Sequence, residues 1–160
     1  MNIKVVHADY GNPAQGADIV RLLNGYALDP MGGGEPLPAN TGDHLVQKLA
    51  AIPHAISLLC YVDGNAAGLL NAFEGFSTFQ CKPLINIHDI AVASDYRGLG
   101  ISQLMLSELE RMATQRGCCK VTLEVLQGNT VAQNAYTKYG FSAYELDPKM
   151  GKAMFWQKSL

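Results

Sequence analysis

The stretch Ala91–Ser102, AVASDYRGLGIS, decides how this chain folds, because it joins an apolar strand pattern to a helix through a glycine-rich turn. A helix N-terminus leaves backbone N–H groups without intrahelical partners and carries a partial positive charge. Gly98 and Gly100 let the backbone turn sharply and let a bulky anion approach, and Arg97 adds a cation suited to phosphate oxygens. The stretch therefore predicts a phosphate or pyrophosphate site, although an ordinary strand-to-helix turn has the same pattern.

Two nucleotide-binding motifs come close to this turn without matching it. A P-loop requires a Lys directly after its last glycine, and no Lys follows Gly100. The dinucleotide motif GxGxxG requires a third glycine where this chain has Gln103, although Glu124 lies near the spacing of the ribose-binding acid. The strand before the turn also ends a run of hairpins, whereas in a dinucleotide fold it opens a series of strand–helix–strand units. A Rossmann-like binder is therefore a weaker alternative.

Length and composition bound the class of protein. The chain has 160 residues, 48% of them hydrophobic and 16% charged, which predicts a single globular domain spanning residues 1–160. The formal net charge of −2 predicts no general attraction to nucleic acid or to an anionic membrane. No apolar run approaches the ~20 residues that span a bilayer, and the N-terminus, MNIKVVHADYG, lacks a signal-peptide pattern. We therefore expect a cytoplasmic protein with no membrane partner.

The cysteines and histidines show no metal-binding pattern. The four cysteines form no CxxC pair, and three of them lie in apolar runs. They are Cys60, Cys81, Cys118 and Cys119. This distribution predicts reduced, mostly buried thiols in a cytosolic protein. Three histidines have no partner spacing that suggests a metal or a catalytic triad, so we expect no metal and interpret them as structural or surface residues. They are His7, His44 and His54.

Hydrophobic periodicity and turn residues predict the order of the elements. The predicted helices span residues 13–28, 43–52, 101–116 and 129–139, the last with Asn129 as N-cap and Gly140 after its end. The predicted strands span residues 3–8, 55–62, 66–73, 84–92 and 120–126, followed by closing strands at 141–146 and 153–158. Glycines and prolines predict a loop without regular structure at residues 29–42. Hairpins with one strand–helix–strand crossover predict an α+β domain with a mixed, mostly antiparallel central sheet flanked by helices.

Two spaced motifs resemble those of one enzyme family. The stretch VASDYRGLGIS resembles the pyrophosphate loop of the GNAT superfamily of N-acetyltransferases, whose pattern is Arg/Gln-x-x-Gly-x-Gly/Ala. Arg97 and Gly100 match, and Ser102 replaces the usual last residue by another small one. The segment LEVLQGNTVAQNAYTKYGF resembles the family's second motif, with matches at Asn129, Ala132, Tyr136, Gly140 and Phe141. The resemblance runs from about residue 3 to the C-terminus, is strongest over residues 87–141, and includes the order of the elements.

The resemblance implies that acetyl-CoA is the donor and that its acetyl group passes to a primary amine by direct attack in a ternary complex. Main-chain groups at the strand end would bind the pantetheine arm and the thioester, at Ile90, Ala91 and Val92. The turn would hold the pyrophosphate with Arg97, Gly98, Leu99, Gly100, Ile101 and Ser102. Asn129 and Ala132 would contact the cofactor from the next helix. A non-catalytic sensor that binds acyl-CoA on the same fold is the alternative function.

The resemblance implies a role for Tyr136 in acetyl transfer. The amine must lose a proton, the oxyanion must be stabilised and the departing thiolate must be protonated. A main-chain N–H near Val92 is the candidate for polarising the thioester carbonyl. Tyr136 lies where enzymes of the similar family place a tyrosine that protonates the sulfur. Its other interpretation is packing on an apolar helix face.

His88 and Glu124 are both candidates for the general base, and the sequence does not decide between them. Strict alternation places His88 on the same strand face as Asn86 and Ile90, and an imidazole titrates in the range that suits proton removal near neutral pH. Glu124 matches a position at which the related ribosomal-protein N-terminal acetyltransferases use a glutamate base. Both residues also have a structural interpretation. Alternation places Asp89 opposite His88, which indicates a structural role for it.

The acceptor is predicted to be a small-molecule amine or a peptide amine, and both remain open. The segments expected to meet it are the loop after the first helix, the stretch EGFSTF and the closing hairpin. An acid among aromatic residues would suit a cationic amine, whereas packing at a hairpin edge is the other interpretation. The candidate residues are Glu35, Phe73, Glu74, Phe76 and Phe79. A monomer and a homodimer are both compatible with the sequence.

Overall fold

Five strands form one sheet in the order β1-β2-β3-β4-β5. The computed structural model describes all 160 residues. The strands are β1 (Ile3–His7), β2 (Ala55–Val62), β3 (Asn65–Ser77), β4 (Lys82–Val92) and β5 (Val121–Leu123). The helices are α1 (Pro13–Leu28), α2 (Ala39–Ala50), α3 (Ile101–Gln115) and α4 (Thr130–Tyr139). Neighbouring strands run antiparallel from β1 to β4, and β4 pairs with β5 in parallel. The predicted α+β class with a mixed, mostly antiparallel sheet is confirmed.

The chain divides into two compact units, Met1–Leu123 and Glu124–Leu160. The first unit contains the sheet, α1, α2 and α3, and the second contains α4 and the C-terminal segment. The single domain over residues 1–160 stays a prediction, and each unit is described by itself. None of the helices combines the length and the apolar character needed to cross a bilayer.

Helix α1 covers one face of the sheet. Leu59 and Leu69, which pair across β2 and β3, pack in one buried cluster with Ile19 and Leu22 of α1. Each such side chain contributes about 1.5–3 kcal/mol when it leaves water. Helix α2 then lies against α1, where Gly16 leaves room for a close neighbour. This face is the one on which residues 69, 71 and 73 of β3 lie.

Helix α3 covers the opposite face. A Cβ atom added at Gly68 of β3 would lie 2.7 Å from Ile101 Cγ2 and 3.1 Å from Met105 Cε, so glycine is what allows the helix to approach the strand. Ile101, Met105 and Leu109 are buried along the helix. This packing holds the first turn of α3 directly against the sheet, beside the end of β4, which pairs with Gly68 at Val92.

Strand β4 contains a bulge at His88. Asn71 of β3 pairs with Asp89, and the next residue of β3 pairs with Ile87, so His88 has no partner on β3. The extra residue places Asp89 on the face of Asn71, to which it is hydrogen-bonded, instead of on the α3 face with Ile87. The prediction that Asp89 lies opposite His88 is wrong, because His88 contacts Phe73 on that same face.

The bulge also changes the neighbours of β4. Ile90 pairs with Leu70 on the α3 face, so it does not share the face of His88, contrary to strict alternation. The parallel ladder between β4 and β5 covers only Ile85 to Ile87 and ends where the bulge begins. Strand β5 is therefore Val121–Leu123 and not the predicted 120–126.

The second unit is one helix followed by an irregular segment. Asn129 caps α4 by accepting a hydrogen bond from the Ala132 N–H at 3.1 Å, and Gly140 ends the helix with a left-handed φ of 119°. Both cap predictions are confirmed. The closing strands predicted at 141–146 and 153–158 are wrong, because only one bridge forms, between Glu145 and Lys152. Pro148 lies between these residues in a short 3₁₀ turn, and no strand ladder extends beyond the bridge.

Two further predictions need correction. The loop predicted at residues 29–42 contains a 3₁₀ turn at Pro30–Gly32, and α2 already begins at Ala39, since the first N–H groups of a helix need no intrahelical partner and polar residues are suitable there. The thiols are not mostly buried. Cys60 is buried, Cys81 is exposed in the β3–β4 turn with a φ of 52°, and the other two are half-buried.

Candidate functional site

The N-terminus of α3 has the geometry of an anion site. Gly98 and Gly100 both take left-handed conformations, with φ of 83° and 75°, and a Cβ atom at either position would meet no atom of the protein within 4 Å. No side chain caps α3, whereas Asn12 caps α1 and Asn129 caps α4. Uncapped N–H groups in open space attract an anion, and the helix dipole adds to this attraction.

Arg97 connects this turn to two other segments. Its guanidinium lies 3.2 Å from the Asp29 carboxylate, which follows α1, and its Nε donates to the Val92 carbonyl at 3.4 Å. Asp29 also accepts from the Met31 N–H at 2.9 Å, and these two donors, the Met31 N–H first, hold its pKa below the usual value. The structure therefore brings together the predicted cofactor residues of the turn and of the strand end.

The exposed edge of β4 carries the candidate base His88. Its ring packs edge-on against Phe73, with centroids 4.8 Å apart and planes at 73°, and Phe73 also contacts His54 at 6.2 Å. Asn86, one side-chain step before the bulge, donates to Thr122 Oγ1 of β5 at 2.9 Å. The imidazole of His88 is thus exposed on the α1 face of the sheet and has one aromatic wall.

The end of α1 lies close to this edge. Burial raises the pKa of Tyr26, and the negative charges of Asp89 and Asp29 raise it further. Asp29 is paired with Arg97, so Asp89 is the carboxylate that gives the region between the α1 end and β4 its negative charge.

The second unit carries the remaining predicted residues. Asn129 Oδ1 accepts the hydrogen bond of the helix cap from the Ala132 N–H, and the Nδ2 group is the donor of this side chain. Tyr136 lies at the middle of α4, half-buried, and packs edge-on against Phe141 at 6.0 Å. Glu124 is exposed at the first position of this unit. The roles predicted for these residues stay predictions.

The predicted acceptor residues are not all equivalent. Glu74 is paired with Arg116 at 2.9 Å, which neutralises its charge. Phe76 and Phe79 are exposed in the β3–β4 hairpin, Phe79 fully, and Glu35 is exposed after α1. Among the five candidates, Phe73 is the one in contact with the candidate base.

Sequence reasoning missed three residues of this region. The sequence predicts only an irregular loop around Asp29, and strict alternation indicates a structural role for Asp89. Asn71 is buried in the middle of β3, where the polar residue in the apolar run GLLNAF was the available signal. A buried amide requires partners, and its presence indicates a polar network on the sheet.

Known proteins share this sequence pattern and fold. The model of the Acetyltransferase (GNAT) family matches residues 27–141. Aminoglycoside N(6')-acetyltransferase type 1 of Salmonella typhimurium is 23% identical over 136 residues, which are 79% of this chain and 92% of the relative. Streptothricin acetyltransferase of Streptomyces lavendulae is 33% identical over 87 residues, 54% of this chain and 46% of the relative. The structure of AAC(6')-Iy in complex with the bisubstrate analogue CoA-S-monomethyl-acetylneamine has a TM-score of 0.77 at 18% identity and covers 100% of both chains.

These comparisons agree with the architecture. The antiparallel meander before the turn excludes the Rossmann-like alternative, which requires a series of parallel strands. The family match begins near the end of α1 and ends just after α4, so it includes both sequence motifs and most of the chain. The chain belongs to the GNAT family of acetyltransferases.

Proposed function

We propose that this chain transfers the acetyl group of acetyl-CoA to a primary amine by direct attack in a ternary complex. The observation that carries the proposal is the uncapped N-terminus of α3, preceded by Arg97 and two left-handed glycines. This arrangement suits the pyrophosphate of coenzyme A. The two curated relatives reported above are both named acetyltransferases, which favours an enzyme over a sensor that only binds acyl-CoA.

The cofactor would lie along the strand end and the turn. The main chain of Ile90–Val92 would pair with the pantetheine arm, and the N–H groups of Gly98–Ser102 would hold the pyrophosphate together with Arg97. Asn129 and Ala132 would contact the cofactor from α4. Acetyl-CoA is a cosubstrate in this proposal, and no metal takes part.

Two side chains would move the protons, one as acid and one as base. Tyr136 would protonate the departing thiolate, and a main-chain N–H near Val92 would stabilise the oxyanion. His88 or Glu124 would remove the proton from the ammonium group. The exposure of His88 beside Phe73 supports the imidazole, because the ring is accessible from the α1 face and is held by one aromatic contact.

The acceptor would be a small-molecule amine with several positive charges, bound in the cytoplasm. Two relatives are named for aminoglycoside and streptothricin acetylation. The Asp89 carboxylate on the α1 face supports the same class, because a cationic substrate is attracted to a negative charge, whereas Asp29 is already paired with Arg97. Peptide amines are the comparison class in the test.

The test measures thiol release from acetyl-CoA across a panel of aminoglycosides, linear polyamines and peptides, with binding of acetyl-CoA measured by calorimetry. We expect turnover with at least one small polycationic amine and loss of most of it in Tyr136→Phe. The pH–rate profiles of His88→Ala and Glu124→Gln identify the base. The variant that has lost the base no longer shows a rate that rises with pH. Tight acetyl-CoA binding without turnover on any amine supports the sensor, and absence of both binding and turnover contradicts the proposal.

A further inference from the structure

A chain of polar side chains crosses the sheet inside its otherwise apolar α1 face. Tyr10 Oη lies 2.9 Å from Ser57 Oγ, Ser57 Oγ donates to Asn71 Oδ1 at 2.6 Å, and Asn71 Nδ2 donates to Asp89 Oδ2 at 3.1 Å. Ser57 is 1% exposed and Asn71 is 4% exposed, and they face each other directly across β2 and β3. Burying two polar side chains in the middle of a sheet costs free energy unless every group is paired.

The direction of these hydrogen bonds follows from Asp89, the last side chain in the series. A carboxylate only accepts hydrogen bonds, so Asn71 must direct its NH₂ group to Asp89 and its oxygen to Ser57. Ser57 has one proton and donates it to Asn71, which leaves Tyr10 as the donor to Ser57. All three hydrogen bonds therefore point toward Asp89, and no buried side-chain nitrogen or oxygen lacks a partner.

The bulge in β4 is what brings Asp89 to the end of this chain. Without the extra residue, Asp89 would follow Ile87 onto the apolar α3 face, where a carboxylate would have no partner. With it, Asp89 lies across from Asn71 and directly beside His88 on the α1 face. The chain and the bulge therefore produce one result, a fixed carboxylate next to the candidate base.

We propose that Tyr10, Ser57 and Asn71 are positioning residues that hold the Asp89 carboxylate beside His88, where it binds the ammonium group of the acceptor. This inference rests on the proposed acetyl transfer to an amine. One oxygen of Asp89 accepts from Asn71, and the other is the group that receives the substrate cation. The positioning residues act through Asp89 and do not touch the acceptor themselves.

The experiment compares Asp89→Asn, Asn71→Asp, Ser57→Ala and Tyr10→Phe in the full chain. Asp63→Asn is the matched control, because it makes the same change from acid to amide in an exposed turn at φ 48°, which asparagine also tolerates. Each variant is measured for its KM toward the best amine of the panel, its KM toward acetyl-CoA, its kcat and its Tm. Binding of neamine is measured separately by calorimetry, so that one readout does not need turnover.

We expect Asp89→Asn to raise the amine KM by about tenfold or more, with the acetyl-CoA KM within about twofold of wild type. Asn71→Asp removes the NH₂ donor that holds Asp89 and repels its carboxylate from the position beside His88, so we expect the amine KM to rise to a similar extent, and Ser57→Ala and Tyr10→Phe have successively smaller effects. Losses in Tm follow a different order, since they are largest for the buried Ser57 and Asn71. Asp63→Asn changes neither KM.

Two results would overturn the inference. One is a loss of Tm in the Ser57 and Asn71 variants with an amine KM equal to that of Asp63→Asn. That result would leave the hydrogen-bonded side chains with a structural role only. The other is unchanged neamine binding and unchanged amine KM in Asp89→Asn. If wild type binds neamine but shows no turnover, the proposed function fails, while weaker neamine binding by Asp89→Asn still supports the positioning role.

Discussion

Arg97 and Asp29 form an ion pair of 3.2 Å that joins the glycine-rich turn to the segment after α1. Arg97 also donates to the Val92 carbonyl, so one side chain connects the end of β4, the turn and the α1 end. The same guanidinium is expected to meet the coenzyme A pyrophosphate. In the proposed function, Asp29 would share this cation with the cofactor, and the contact would couple the segment after α1 to cofactor binding.

Replacing each member of the pair should shift acetyl-CoA binding in opposite directions. Asp29→Asn removes a negative charge beside the anion site, and because solvent screens this half-buried position we expect acetyl-CoA to bind no more than about fivefold more tightly. Arg97→Gln removes the cation, and we expect about tenfold weaker binding. Calorimetry at low and high salt measures both, and both effects should shrink with salt. Weaker binding in both variants would instead show that the pair preorganises the turn.

The pair also predicts a dependence of stability on acid pH. The pKa of Asp29 is lowered in the folded protein by the Met31 N–H and by Arg97. A lowered carboxyl pKa stabilises the fold at pH values above the unfolded value, near 3.8, and this stabilisation is lost as the pH falls through the folded pKa. The Tm difference between wild type and Asp29→Asn should be constant from pH 7 to about pH 4 and should shrink below it. A difference that persists undiminished to pH 2 would contradict the assignment.

The glycines of the turn should be required for their backbone conformation and for the space they leave. At Gly100, φ is 75° and no atom of the protein lies near an added Cβ, so Gly100→Ala costs about 1–2 kcal/mol of stability through the left-handed conformation alone. The new methyl group also occupies the space proposed for the pyrophosphate, and we expect acetyl-CoA affinity to fall by about tenfold or more. Chemical denaturation and calorimetry measure the two effects.

Gly25→Ala is the control for this substitution. Gly25 lies inside α1, and an added Cβ would meet nothing within 4 Å. Alanine there should stabilise the protein by about 0.5–1 kcal/mol without changing acetyl-CoA binding. Equal losses of stability in Gly100→Ala and Gly25→Ala would show that the left-handed conformation is not what the turn requires.

The strand order and most helices follow from local patterns, whereas the details of β4 do not. Helix α1 spans the predicted residues 13–28 and strand β2 the predicted 55–62, because a proline start, helical spacing and the Asp-Gly turn are all local signals. The bulge at His88 depends on pairing with Asn71, which lies on another strand. A period of two gives no sign of such an extra residue, so the faces of Asp89 and Ile90 were predicted wrongly.

The candidate site divides in the same way. Arg97, Gly98 and Gly100 are neighbours in the sequence, and their turn was predicted from those residues alone. Asp29 reaches Arg97 only through the packing of α1 on the sheet, and a Gly- and Pro-rich context predicts a loop without indicating its contacts. The partners in long-range polar contacts of this kind depend on the tertiary structure, and a single sequence does not contain a local signal for which residues will pair.

Gly68 should be intolerant of any side chain because α3 lies so close to β3. A Cβ atom there would be 2.7 Å from Ile101 Cγ2, inside any normal contact distance. Gly68→Ala therefore overpacks the interface, and we expect a loss of about 1–3 kcal/mol in the free energy of unfolding. Gly75→Ala on the same strand is the control, since its new methyl group would make an ordinary contact of 3.6 Å with Leu84. Similar losses of stability in both variants would mean that replacing any glycine of β3 is destabilising and that the contact with α3 is not the cause.

Tyr61 predicts a loss of stability at alkaline pH. Burial, followed by its hydrogen bond of 3.0 Å to Asp18, raises the pKa of Tyr61 to about 12, against 10.0 for a free tyrosine. Between these values the unfolded chain releases the phenolic proton while the folded chain keeps it, so the free energy of unfolding falls as the pH rises from about 10 to about 12.

Tyr61→Phe should remove this part of the pH dependence, at a cost of about 1 kcal/mol at pH 7 for the lost hydrogen bond. Urea denaturation at pH 8, 10 and 11.5 measures the difference between the two proteins. Tyr10 and Tyr26 leave a residual slope in the variant, because burial raises their pKa values too. An identical pH dependence in wild type and Tyr61→Phe would exclude Tyr61 as its source.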